Sequence, residues 1–229
     1  VLEGYGLTDT AGATTVNRPQ HLRIGSVGRP FPGASVLIAD DGEVMLAGPH
    51  VFRGYWANPE ASAEALEPDG WFHTGDLGVL DADGFLSITG RKKEILVTAG
   101  GKNVAPAVLE DRIRAHWLVS QCMVVGDSRP YVAALVTVDP ESFPACKQQR
   151  GKDPAATVAS LAQDPDLLAE VQSAVDDANK AVSNAEAVKR FRVVASDWTE
   201  EGGQLTPSMK LRRQVVMDQY AGDVEALYR

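Results

Sequence analysis

Little in this sequence suits disulfide or metal chemistry. Its 229 residues hold two cysteines, Cys122 and Cys146, far apart and outside any CxxC spacing, and four histidines, His21, His50, His73 and His116. Two distant cysteines exclude a disulfide-stapled scaffold and suit a reducing compartment. The histidines lack ligand spacing, so no zinc site is expected. Positive charge is also short: 22 Lys and Arg face 31 Asp and Glu, a net charge of −9. Nucleic acid and anionic membranes both want a basic face, so neither is an expected partner. No apolar run approaches the roughly 18 residues of a membrane span, and no charged stretch followed by an apolar one opens the chain. A soluble, cytoplasmic protein without a transmembrane segment is expected. An initial methionine is missing as well. "VLEGYGLTDT" begins inside a motif-like stretch, which points to a piece of a longer chain.

What is present is enough apolar material, 44% of residues, for one sizeable core or two smaller ones. Residues 25–90 run in short alternating stretches, "SVLIAD", "GEVMLAG", "GDLGVLD" and "GFLSITG", separated by turn clusters such as Asp40-Asp41-Gly42 and Asp81-Ala82-Asp83-Gly84. That pattern predicts β-hairpins. "DADG" fails as a calcium loop: with Gly84 sixth, Val79 would be the first ligand and Gly90 the twelfth. Beyond "GRKKE" the texture changes. Helix is expected over 106–116 and 166–184, the latter behind an Asp164 cap and Pro165 with Leu167, Leu168, Val171, Val175, Ala178 and Val182 on one face. Strands are expected over 121–125, 131–138 and "RFRVVA", a polar surface loop over 151–154, and a closing helix over 211–228. The fold class is thus α/β (α+β), a β-rich part followed by a small α/β domain with a short central sheet, the boundary lying near residues 91–94.

In "GGQLTPSMKLRR", residues 202–213, Thr206 and Pro207 read as an N-cap and first helical position. Lys210, Arg212 and Arg213 then fall at a helix start, where the dipole favours anions by about 0.3–1 kcal/mol each. Three cations in that place ask for an anionic ligand. Alone, "YGLTD" (5–9) reads better as a capped turn than as a phosphate hydroxyl and a Mg²⁺ carboxylate. In "GWFHTGDLG" (70–78), glycines flank Thr74 and Asp76 and permit close ligand approach. One carboxylate there can accept from two ribose hydroxyls, or it is a solvated turn residue; Trp71 and Phe72 fit a core better than an adenine platform.

Taken in order, "YGLTDT", "GEVMLAGPHVFRGYW", "GWFHTGDLG", "GFLSITGRKKEILVTAGGKNVAP" and "LTPSMKLRR" resemble the later motifs of the adenylate-forming superfamily: acyl-CoA synthetases, aryl-CoA ligases, luciferases and adenylation domains. The resemblance covers nearly the whole chain and is greatest to long-chain fatty acyl-CoA synthetases. It implies that residues 1–92 are the C-terminal part of the large domain and 93–229 the small lid domain. It implies a ligase using ATP, Mg²⁺ and CoA, which joins a fatty acid first to AMP and then to the CoA thiol. Tyr5 is implied to lie against adenine, and Thr8 to bond the α-phosphate as a catalytic group. Asp9 stands where the family usually has a Mg²⁺-contacting Glu, one methylene shorter. Asp76 is implied to hold the ribose hydroxyls with Arg91, Lys93 to be the hinge, Gly100 and Gly101 to line the pantetheine tunnel, and Lys210 to be the catalytic lysine on the substrate carboxylate and α-phosphate. Arg212 and Arg213 stay open between CoA phosphates, pyrophosphate and no ligand. The family's Ser/Thr/Gly-rich loop ending in Pro-Lys-Gly is absent here, since "TDTAGATT" lacks that ending. The chain alone is therefore expected to be silent and to need an upstream N-terminal domain. An acyl-AMP ligase that loads a carrier protein, and a non-catalytic lid or nucleotide-binding module, are the alternatives.

Overall fold

The computed structural model describes residues 2–229, which divide into two compact units, 2–94 and Ile95–Arg229. The first unit is a set of antiparallel hairpins. Strands β1 (Gly4–Leu7), β2 (Gly12–Val16) and β3 (Arg29–Pro30) form one sheet, with a 3₁₀ turn at Thr8–Thr10 joining the first two. Strands β4 (Ser35–Ile38), β5 (Glu43–Ala47), β6 (Phe72–Leu80) and β7 (Leu86–Arg91) form a second sheet in that order, and helix α1 (Pro59–Ala65) lies between β5 and β6 in the chain. The four alternating stretches are all strands, as their period-2 pattern predicts. The capped turn expected over 5–9 is corrected in its first half: residues 5–7 belong to strand β1, and Thr8 and Asp9 lie in the 3₁₀ turn. Gly6 is required by the pairing, because a Cβ there would lie 1.9 Å from the Gly12 carbonyl oxygen. Val44, Leu46, Phe72 and Leu86 are the buried centre of this unit.

The second unit opens with the small hairpin β8 (Leu96–Val97) and β9 (Asn103–Val104) and helix α2 (Pro106–Arg114). A three-stranded sheet follows in the order β10 (Val119–Val125), β11 (Val132–Val138), β12 (Val188–Val193), with β10–β11 antiparallel and β11–β12 parallel. The crossover to β12 carries helices α3 (Phe143–Gln149), α4 (Val158–Leu161) and α5 (Pro165–Asn179). Every residue of β11 is buried, as expected for a strand covered on both faces. Val132, Ala134 and Val136 meet Leu109 and Ile113 of α2 and Val171 and Val175 of α5 in one cluster. Ala133 and Leu135 join Trp198, Leu205, Val216 and Val224 in the other. Asp164 caps α5 by accepting the N–H groups of Asp166 and Leu167.

The expected closing helix is broken into α6 (Arg213–Gln219) and α7 (Ala221–Ala226), and the 166–184 helix stops at Asn179. Both cysteines are free and buried, and burial pushes both thiols up in pKa. No helix among the described residues is long and apolar enough to cross a membrane.

Candidate functional site

Asp76 is the centre of the constellation in the first unit. It lies opposite Arg91 in the β6–β7 ladder, is 3% exposed, and its Oδ1 accepts from Arg91 Nε at 2.9 Å. Its Oδ2 accepts from the Tyr5 hydroxyl at 2.7 Å, so a residue of the other sheet fixes the second oxygen. Burial, with the Asp76 charge, raises the Tyr5 pKa well above its ordinary value, keeping the hydroxyl a donor. An ionised carboxylate offers about four acceptor positions, and Tyr5 and Arg91 use two. The backbone around Asp76 is pinned too: Thr74 Oγ1 donates to the Val44 carbonyl at 2.6 Å and accepts the Asp76 N–H at 3.1 Å.

Thr8 and Asp9 sit in the 3₁₀ turn that follows β1, Thr8 exposed and Asp9 half-buried. The Asp9 carboxylate lies beside the Tyr55 hydroxyl, which burial and that negative charge raise in pKa. Three of the motif residues, Tyr5, Asp76 and Arg91, are thus in direct contact, and Thr8 and Asp9 follow Tyr5 in the chain. Lys93 lies in a second 3₁₀ turn, Lys92–Glu94.

In the second unit the loop between β8 and β9 carries Gly100 and Gly101. Gly101 donates its N–H to the Thr98 carbonyl at 2.8 Å and has φ +76°, a left-handed conformation that favours glycine. Gly100 needs no such explanation: nothing meets a Cβ built on it except Thr98 Oγ1 at 3.9 Å.

Lys210 is not at a helix start. Leu205 and Leu211 bridge as an antiparallel pair, Thr206 N–H donates to the Lys210 carbonyl at 2.9 Å, and Thr206 Oγ1 accepts the Lys210 N–H at 3.0 Å. The chain reverses through Met209, at φ +61°, so Thr206 closes a hairpin instead of capping a helix. Lys210 is exposed, and its ammonium has no partner among the described residues. The dipole conflict falls on Arg213, the first residue of α6, and the fold resolves it internally. Arg213 donates to Glu110 Oε1 at 2.7 Å and to the Val124 carbonyl at 2.6 Å. Arg213 therefore holds a structural anion, whereas the Lys210 ammonium has no partner among the described residues and Arg212 reaches only the Gly203 carbonyl, at 3.5 Å.

One buried acid went unread in the sequence. Glu43, 4% exposed, accepts from the Gly75 N–H at 2.9 Å, from Lys92 Nζ at 2.9 Å and from His73 Nδ1 at 3.2 Å. Burial pulls its pKa up, but Lys92, the Gly75 N–H and His73 together outweigh this and hold it below the ordinary value. The available signal was a charged residue in phase with the apolar run "EVMLA".

The first unit thus holds a braced carboxylate with acceptor positions to spare, and the second an unpartnered lysine on a tight turn. The chain belongs to the AMP-binding enzyme family: residues 93–229 match the model of the AMP-binding enzyme C-terminal domain, and residues 1–56 match that of the AMP-binding enzyme. It is 56% identical over 228 residues to long-chain-fatty-acid–CoA ligase FadD15 of Mycobacterium tuberculosis, covering 100% of this chain and 38% of that protein. This chain thus spans well under half the length of that relative. Among solved structures it is similar to the A-PCP didomain of a carboxylic acid reductase from Segniliparus rugosus in complex with AMP, with TM-score 0.71, 26% identity and coverage of 99% of this chain and 31% of that one. O-succinylbenzoate coenzyme A synthetase from Bacillus subtilis, in complex with ATP and a magnesium ion, shares the fold with TM-score 0.67 at 23% identity, over 93% of this chain and 40% of that one.

Proposed function

We propose that this chain is the C-terminal part of an ATP-dependent long-chain fatty acid:CoA ligase, with residues 1–92 ending the large domain and 93–229 forming the lid. The observation that carries the reading is the Asp76 carboxylate, buried and gripped by Tyr5 and Arg91 with acceptor positions to spare. The 56% identity to a fatty-acid ligase over this chain supports the same assignment. The absence of a Pro-Lys-Gly loop and the 38% span support an upstream domain in the same polypeptide. A cytoplasmic location fits the enzyme class.

In the first half-reaction a fatty carboxylate oxygen attacks the α-phosphorus of ATP and the bond to pyrophosphate breaks. Asp76 and Arg91 hold the ribose, Tyr5 lies against the adenine, and this orientation lowers the barrier. Thr8 donates to the α-phosphate, and Lys210 stabilises the negative charge that develops between the carboxylate and the phosphate. Mg²⁺ takes few protein carboxylates beside substrate phosphates, and the half-buried Asp9 fits one such position, where the ion would neutralise phosphate charge. In the second half-reaction the CoA sulfur, its proton lost to solvent, attacks the acyl carbonyl carbon and AMP leaves. Gly100 and Gly101 line the path of the thiol, and Lys93 is the hinge between the two half-reactions.

Fatty-acid-dependent ATP/pyrophosphate exchange followed by a CoA chase tests this on the full polypeptide, with the 229-residue chain as control. Exchange by the full polypeptide alone, discharged by CoA to acyl-CoA, is the expected result. Exchange that CoA fails to discharge identifies a carrier-protein acceptor, and absence of exchange in the full polypeptide overturns the ligase assignment.

A further inference from the structure

The Asp76–Arg91 pair stands where the β6–β7 ladder runs out. It is the terminal pair in the register; beyond it β6 pairs only with β5, through His73 and Phe72. A pair at the end of a ladder lacks the cross-strand bonds that hold the rest in place. Glu43 supplies them from β5. One carboxylate oxygen takes the N–H of Gly75, the residue before Asp76; the other takes the ammonium of Lys92, the residue after Arg91. Lys92 is tied again to Asp41 at 2.5 Å, and His73 reaches Glu43 and Glu67 with one ring nitrogen each.

For stability alone Glu43 is a poor choice. Val44, Met45 and Leu46, the residues that follow, are all buried, and a buried carboxylate requires that its acceptors be filled. A buried ionic group often gives no net stability over an apolar side chain of similar volume, so what this one contributes is geometry.

We infer that Glu43 is a positioning residue of the nucleotide site, setting the separation of Asp76 and Arg91 through their immediate neighbours Gly75 and Lys92. The inference rests on the reading of Asp76 as the ribose-binding carboxylate. In that role Glu43 touches no substrate; it governs how well the two hydroxyls are met, and so how strongly ATP is preferred to 2′-deoxy-ATP.

The test is that preference, taken as the ratio of kcat/KM values in ATP/pyrophosphate exchange by the full polypeptide, with the KM and kcat components separated. Asp76→Asn removes the preference if the ribose reading holds. Glu43→Gln, whose amide can accept from Gly75 but turns its NH₂ toward Lys92, lowers the preference about tenfold, mainly through KM for ATP, as expected of a small misplacement in a positioning group. Lys92→Met, at a half-exposed side chain, removes one arm without disturbing the core and lowers the preference by a smaller factor. A folded Glu43→Gln protein, or the Lys92→Met protein if the former fails to fold, that keeps the full wild-type preference while Asp76→Asn loses it overturns the positioning role. Asp76→Asn retaining the preference overturns the ribose reading instead.

Discussion

The two units hold their functional residues by different means. In the second unit a sheet covered on both faces, with β11 buried throughout, sets the backbone by packing. In the first, four fully buried residues form the apolar centre, while Ile24 at 92% and Trp56 at 98% exposure stand clear of it. The geometry there is carried by polar links: Asn17 between Ser26 and Arg23, Thr15 on Val27, Glu43 between Gly75 and Lys92. Packing is broad and tolerant of single losses, whereas a polar link acts at one point and, where it is a carboxylate as at Glu43, responds to protonation. Asp76 therefore sits on the more delicate support.

The largest effect that would sharpen this contrast comes from separating the units. Residues 95–229 alone retain cooperative thermal unfolding and the near-ultraviolet signal of buried Trp198, while residues 1–94 unfold without a cooperative transition; a cooperative transition in the short piece breaks the comparison. Next, Lys210→Ala slows exchange by about 10²–10³-fold, the range for loss of one charge-stabilising donor, and leaves the thermal midpoint unchanged because the residue is exposed. Arg213→Met does the opposite, costing about 2 kcal/mol of stability in denaturant titration by removing the charged donor shared by Glu110 and the Val124 carbonyl. Gly100→Ala is smaller still: its stability change stays within about 0.5 kcal/mol, yet release of acyl-CoA slows relative to exchange. The smallest is a pH effect. Glu43 has a folded pKa below its ordinary value, so its stabilisation is complete above about pH 4.5 and is lost as the pH falls through the folded pKa. Glu43→Gln removes that share of the acid-side decline in the melting temperature, and an unaltered decline shows that Glu43 is not coupled to folding.

Sequence periodicity reached the elements that follow one rule. The hairpin strands alternate, and α5 has its cap, its proline and its apolar face where the pattern places them. It failed where two signals conflict. Residues 4–7 carry glycine at alternate positions, a turn-like composition, but pairing with 12–16 demands the small residue at Gly6. Thr206-Pro207 has the form of a helix start, but the bridge between Leu205 and Leu211 captures the segment as a hairpin. Asp76, Arg91 and Lys210 were singled out by the order of motifs and not by composition, and the structure joins the first two directly. Glu43 was hidden because its partners are a backbone N–H 32 residues away and a lysine 49 residues away, separations that no local window contains.

Lys210 is suspended between two fixed points, the Leu205–Leu211 bridge on one side and the Arg213–Glu110 lock on the other. Pro207, Ser208 and Met209 are exposed between them. In a saturation library this arrangement writes a definite pattern of tolerance. The exposed tip accepts many replacements, with Met209→Gly gaining from release of the left-handed backbone, and the two anchors accept few. Sequence drift is thus channelled into the three residues that can change without moving the lysine.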